Sequence, residues 1–115
     1  MGAELHITRA EGWVEGEDSP ITEDEWMAYV ATDPELRVKL EFGKKKIYWL
    51  GQSKYPDPWL KWKRGNVSTK WPDTALYRKM LKIAAALGAK VHDDDDNIYS
   101  KETDWEYDPT TSKRF

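Results

Sequence analysis

The chain contains no cysteine, which removes disulfides, thiolate nucleophiles and thiolate metal sites together. That absence suits a reducing compartment. Histidine is nearly absent as well: His6 and His92 are the only two in 115 residues. Each reads as a strand residue. The serines (Ser19, Ser53, Ser68, Ser100 and Ser112) stand in no nucleophile-elbow motif. No stretch matches a P-loop or the glycine pattern of a dinucleotide fold. Carboxylates such as Glu25 or Asp73 suggest an enzyme only through the number of acids. The expectation is a chain without catalytic residues or cofactor. No apolar run approaches the roughly 20 residues a bilayer span needs. Met1–Glu11 has neither a basic start nor an apolar stretch, so no secretory signal is visible. A cytoplasmic domain with no membrane partner is expected.

What is present is aromatic and charged. Seven Trp, six Tyr and two Phe supply much of the apolar material. Such side chains bury roughly 150–250 Å² each, so a few can anchor the single core of a chain this size. The net charge of −3 hides an uneven distribution. Residues 1–36 carry a net −9, residues 37–92 a net +11 and residues 93–108 a net −7. These blocks either lie against one another and neutralise, or leave a dipolar surface that steers a charged partner.

Leu5–Thr8 reads as a first strand. Thr22 and Glu25 form a capping box, Ile21 and Trp26 a hydrophobic staple, and Glu23, Asp24 and Glu25 fill a first helical turn where the dipole favours acids. This helix should end near Thr32, because Asp33 precedes Pro34. Val38, Leu40 and Phe42 alternate with Lys39 and Glu41 as a half-buried strand would. Gly43 and the three lysines after it read as a turn, and Ile47–Leu50 as the next strand. Trp59–Lys63 and Val67–Trp71 flank a Gly65-Asn66 hairpin signal. Asp73 caps a second helix whose stripe is Leu76, Met80, Ile83 and Leu87, stopped by Gly88. Ala89–His92 and Asn97–Tyr99 flank the acidic run as a last hairpin. The order β-α-β-β-β-β-α-β-β predicts an α+β domain over residues 1–102: a mostly antiparallel sheet of five to seven strands, with both helices on one face. Residues 103–115 read as a tail, with Trp105 and Tyr107 able to tie it down.

Two stretches could carry binding. Trp59, Lys61, Lys63, Arg64 and Lys70 interleave aromatics with cations, as single-strand nucleic-acid platforms do. Any amphipathic strand shows the same alternation, and the flanking acidic blocks would oppose a polyanion. The second stretch is Asp93, Asp94, Asp95 and Asp96. Calcium loops space their acids at alternate positions around a central glycine, which this run does not, so no metal is expected there. It reads either as a solvated hairpin tip or as a negative knob for a basic groove. Like charges a few ångströms apart repel by about 1 kcal/mol per pair in water, so a fold is expected to gain nothing from them. On that reasoning, replacing the four aspartates by asparagine should leave the melting temperature unchanged or raised.

Several stretches together carry a family resemblance. They are His6-Ile7-Thr8-Arg9-Ala10 with Trp13, Ile21-Thr22 through Glu25-Trp26, Tyr55 to Leu60 through Asn66 to Thr69-Lys70-Trp71-Pro72-Asp73, and Lys79 to Ala84 with Leu87 to Val91, Asp94, Asp95 and Tyr99. Over about residues 5–100 the chain resembles the small bacterial immunity proteins of polymorphic toxin and contact-dependent inhibition systems. It departs at His92–Asp96, where such proteins usually carry a glycine near the turn. The resemblance implies tight binding to a cognate toxin domain, often a nuclease with a basic active site. The partner-binding residues expected are Asp93, Asp94, Asp95, Asp96, Glu102, Asp104 and Trp105. The alternative is a nucleic-acid-binding module built on the hairpin 59–71.

Overall fold

Residues 4–111 are described by a computed structural model, and they form an α+β fold. The described residues run in the order β1 (Glu4–Thr8), a 3-10 segment (Trp13–Asp18), α1 (Glu23–Thr32), β2 (Leu36–Glu41), β3 (Lys44–Trp49), β4 (Trp59–Lys63), β5 (Asn66–Lys70), α2 (Thr74–Leu87), β6 (Lys90–His92) and β7 (Ile98–Tyr99). The strands make one seven-stranded sheet in the order β2-β3-β4-β5-β1-β6-β7. Every pairing is antiparallel.

Local chemistry accounts for both helices. The Thr22 hydroxyl accepts from the Glu25 amide, and the Glu25 carboxylate accepts from the Thr22 amide, which completes the capping box. Asp73 caps α2 through the Leu76 amide, and Gly88 ends that helix at φ 64°. The stripe Leu76, Met80, Ile83 and Leu87 is buried as its spacing requires. It meets Leu5, Ile7, Val67 and Val91 from the sheet, and Trp26 and Val30 from α1, in one continuous cluster. Both helices therefore cover the same face. Each such side chain contributes about 1.5–3 kcal/mol on burial.

Three local readings of the sequence are corrected. The alternating run in β2 is a strand, but its apolar side is not covered: Val38, Leu40 and Phe42 are 41, 72 and 103% exposed. Alternation reports which residues share a side, and the β2–β3 hairpin runs past the helices that would have packed on that side. The turn of this hairpin is Phe42-Gly43, with φ 53° and 75°, so the three lysines after it belong to β3. Likewise the next turn is Arg64-Gly65, with φ 52° and 85°, and Asn66 opens β5. In each case one residue before the glycine also adopts left-handed geometry, as a two-residue hairpin turn of type I′ demands.

Residues 105–107 are tied to the domain. The Trp105 indole N–H donates to the Pro72 carbonyl at 2.7 Å, the Thr74 amide donates to the Tyr107 carbonyl, and the Tyr107 amide donates to the Thr74 hydroxyl. Trp105 also packs edge-on against Trp71 and Tyr99. Residues 112–115 of the expected tail lie outside the described residues.

Candidate functional site

Strand alternation fixes what the second, helix-free face of the sheet presents. In β1, Leu5 and Ile7 face the helices, so His6 and Thr8 face the other way. His6 is the direct cross-strand partner of His92 on one side and of Ser68 on the other, and Ser68 pairs with Lys61. Successive pairs share a face, so the line His92–His6–Ser68–Lys61 runs across the helix-free side. The same rule puts Arg37, Lys39, Lys46, Tyr48, Trp59 and Lys63 there.

One end of this face is closed by the 3-10 segment and the loop after β6. The Trp13 indole lies flat on the His6 ring, with centroids 4.1 Å apart and planes 1° from parallel. Its N–H donates to the Asp94 carbonyl, and its backbone amide donates to the Asp96 carboxylate, both at 2.9 Å. His6 Nε2 is 2.9 Å from Asp94 and His92 Nδ1 is 3.1 Å from Asp96. Both rings are buried. The amide of Trp13 and the contact with His92 hold the Asp96 carboxyl below its ordinary value. Asp93 points the other way. Burial acts to raise its pKa, but hydrogen bonds from Asn97, Tyr99 and the Asp95 amide outweigh it and keep the group below the ordinary value.

The aspartate run therefore has a structural role that the repulsion argument missed. Asp93, Asp94 and Asp96 each satisfy donors within the fold, and only Asp95 has no side-chain partner among the described residues. These bonds count against the expectation that four Asp→Asn changes leave the melting temperature unchanged or raised. The contacts span up to 90 positions, which is why the run looked gratuitous in the sequence.

The expected partner-binding residues do not form one patch. Asp94 and Asp96 sit against the histidines on the helix-free face, whereas Trp105 packs on the α2 side with Tyr99 and Trp71. Asp104 accepts from the Ser100 and Lys101 amides to close the turn after β7, and Glu102 lies exposed in that turn. The negative surface near Asp94–Asp96 is extended by residues the sequence reading had passed over. Glu11, Glu15, Glu17 and Asp18 are exposed on and around the 3-10 segment. Glu15 and Asp96 both carry a carboxylate oxygen about 3 Å from where a Gly12 side chain would begin. Among the described residues none of Glu11, Glu15, Glu17, Asp18 and Asp95 has an ion-pair partner.

The basic end is the region of β2, β3 and β4. Lys39 and Lys46 lie over the Tyr48 ring at 5.0 and 5.6 Å, and the Tyr48 hydroxyl donates to Glu41. Trp59, Lys61, Lys63, Arg64 and Lys70 are placed by β4, the turn after it and β5, with the lysines and Arg64 exposed and Trp59 half-buried. Lys61, Lys63, Arg64 and Lys70 have no ion-pair partner among the described residues. The three charge blocks of the sequence neutralise one another only in part by contact. The cross-block pairs among the described residues are Lys54 with Asp108, Lys79 with Asp33 and Glu35, and the histidine contacts of His6 with Asp94 and His92 with Asp96.

Glu4, His6 and Asp94 each present a possible metal-ligand atom, all within 4.8 Å of one another. In that grouping the His6 nitrogen and an Asp94 oxygen already satisfy each other. No described helix is long and apolar enough to cross a membrane. No protein-family model, curated protein or solved structure matches the chain.

Proposed function

We propose that this protein is a binding protein of the immunity type, which neutralises a cognate toxin domain by direct contact through its acidic end. The observation that carries the reading is the exposed acidic rim formed by the 3-10 segment and the Asp94–Asp96 loop. Asp94 and Asp96 are held in place by Trp13, His6 and His92, and Glu11, Glu15, Glu17, Asp18 and Asp95 around them are exposed with no ion-pair partner among the described residues. A rim already ordered loses less conformational freedom on binding, and its charge accelerates encounter with a cationic groove. The basic active site of a nuclease has the complementary charge. The resemblance to immunity proteins supports the same partner class. Trp105, packed against Trp71, serves the fold in this reading and leaves contact to the acids.

The test mixes the purified protein with the C-terminal domain encoded by the gene immediately upstream and follows complex formation by calorimetry. A one-to-one complex that abolishes the toxin's activity is expected. Absence of a complex at micromolar concentrations of both proteins overturns the proposal.

A further inference from the structure

We propose that the groove between β3 and β4 on the helix-free face is a binding site for single-stranded nucleic acid. β2 and β3 pair over six positions, but β3 and β4 pair at only two, Ile47 with Leu60 and Tyr48 with Trp59. Toward the hairpin tip the two strands part. The separation opens a groove of about 480 Å³ lined by Phe42, Lys44, Lys46, Trp59 and Lys61, with Glu41 as its one acid.

Charge and shape point to the same occupant. Glu41 is already engaged, accepting from the Tyr48 hydroxyl at 2.8 Å and lying 3.5 Å from Lys46. Among the described residues Lys44 and Lys61 have no acid within ion-pair distance, and Lys63 and Arg37 extend the cationic face beside them. A polyanion offers what these side chains lack. Phe42 narrows the choice. It is fully exposed at the first position of the type I′ turn, so the fold gains no burial from the ring. A ring held in solvent beside lysines is a stacking platform for an unpaired base, and the half-buried Trp59 supplies a second ring. Each stacked base is worth roughly fivefold to a hundredfold in affinity. A duplex hides its base faces and could use only the lysines.

The flanking acidic blocks do not stand in the way. α1 packs on the opposite face of the sheet. The Asp94–Asp96 loop lies against β1 and β6, with β5 between them and β4. The 3-10 segment packs on His6 and beside Asn66 and the Arg64-Gly65 turn, on the β5 side of β4, whereas the groove opens on its β3 side and none of that segment lines it. The site is independent of the acidic rim, so either can fail without the other.

The experiment measures fluorescence anisotropy of labelled oligo-uridine and oligo-deoxythymidine of about 10 nucleotides, a length within known single-strand site sizes. The duplex of the same length and heparin serve as comparisons. Binding at low salt is expected, stronger for either single strand than for the duplex. Its log–log salt slope should be about −2 if three phosphates are contacted. Phe42→Ala removes a fully exposed ring and should weaken single-strand binding about fivefold or more, with the melting temperature held. Lys46→Glu with Lys61→Glu should abolish binding. The ratio of the two single strands shows whether a ribose hydroxyl is read. No binding at low salt overturns the proposal. So does equal affinity for duplex or heparin with Phe42→Ala unchanged, since the surface would then be sensing charge alone.

Discussion

Asp93 closes the turn after β6 by accepting from the Asp95 and Asn97 amides, the Asn97 side chain and the Tyr99 hydroxyl, all within 3.0 Å. Two residues on, Asp95 makes no side-chain bond among the described residues. Identical residues two places apart should therefore behave oppositely. Asp93→Ala leaves several donors without their acceptor and should lower stability by about 2 kcal/mol. Asp95→Asn relieves repulsion and should change it by less than about 0.5 kcal/mol. Urea denaturation of the two variants separates them, and equal effects would show that the turn does not depend on the Asp93 carboxylate. Nothing in the sequence marks one aspartate as the acceptor. The distinction arises because β6 and β7 pair so that Tyr99 opposes Val91 and reaches back to Asp93. His6 and Trp13 were visible as residue types, but their stacking needed β1 and the 3-10 segment to be brought together.

Elements were legible where the chain carries its own local instructions. The capping box of α1, the Asp73 cap and Gly88 stop of α2, and the Lys61/Lys63 against Leu60/Trp62 alternation each work within a few residues. The 3-10 segment was not, because its Gly12-to-Ser19 stretch has no periodicity and is held by distant partners such as Asn66, whose side-chain amide donates to the Trp13 carbonyl. At the start of α1, Glu25 is drawn down to about 2, first by the Arg9 guanidinium and then by the Thr22 amide. A carboxyl depressed in the folded state contributes stability that is fully present above its ordinary value of 4.5 and is lost as pH falls toward about 2. Glu25→Gln should therefore flatten the fall of melting temperature over that range. Parallel melting curves for wild type and variant would rule the contribution out. α2 is tied to the segment between α1 and β2 by Lys79, whose ammonium lies 2.7 Å from both Asp33 and Glu35. Lys79 is buried and the Asp33 side chain is largely covered, so Lys79→Met leaves a poorly solvated carboxylate without its cation. A loss of about 3 kcal/mol is expected by thermal or chemical denaturation. A loss below about 1 kcal/mol would show that water already reaches Asp33.

Across the whole molecule the sheet order turns a sequence pattern into a spatial one. The basic block supplies β2 to β5, while the Asp94–Asp96 loop flanks β1 and β6 at the other end and the acidic 3-10 segment runs from β1 to the turn between β4 and β5. Composition revealed three alternating blocks but could not say whether they touch, because contact depends on which strands become neighbours. The separation makes a kinetic prediction for the proposed toxin complex. Charges at an exposed rim act mainly on encounter, and truncating them changes the association rate and its salt dependence more than the dissociation rate. Glu15→Gln, Glu17→Gln and Asp95→Asn combined remove three exposed carboxylates that make no ion pair among the described residues. None of these positions is in the core cluster, so the melting temperature should stay within a few degrees. Stopped-flow association with the toxin domain should then slow by about tenfold at low salt, and the gap should close near 1 M salt, where the screening length falls to about 3 Å. Dissociation should hold nearly constant. An unchanged association rate at low salt would place the toxin contact elsewhere on the molecule, whereas faster dissociation with normal association would make the rim a short-range contact and not a steering field.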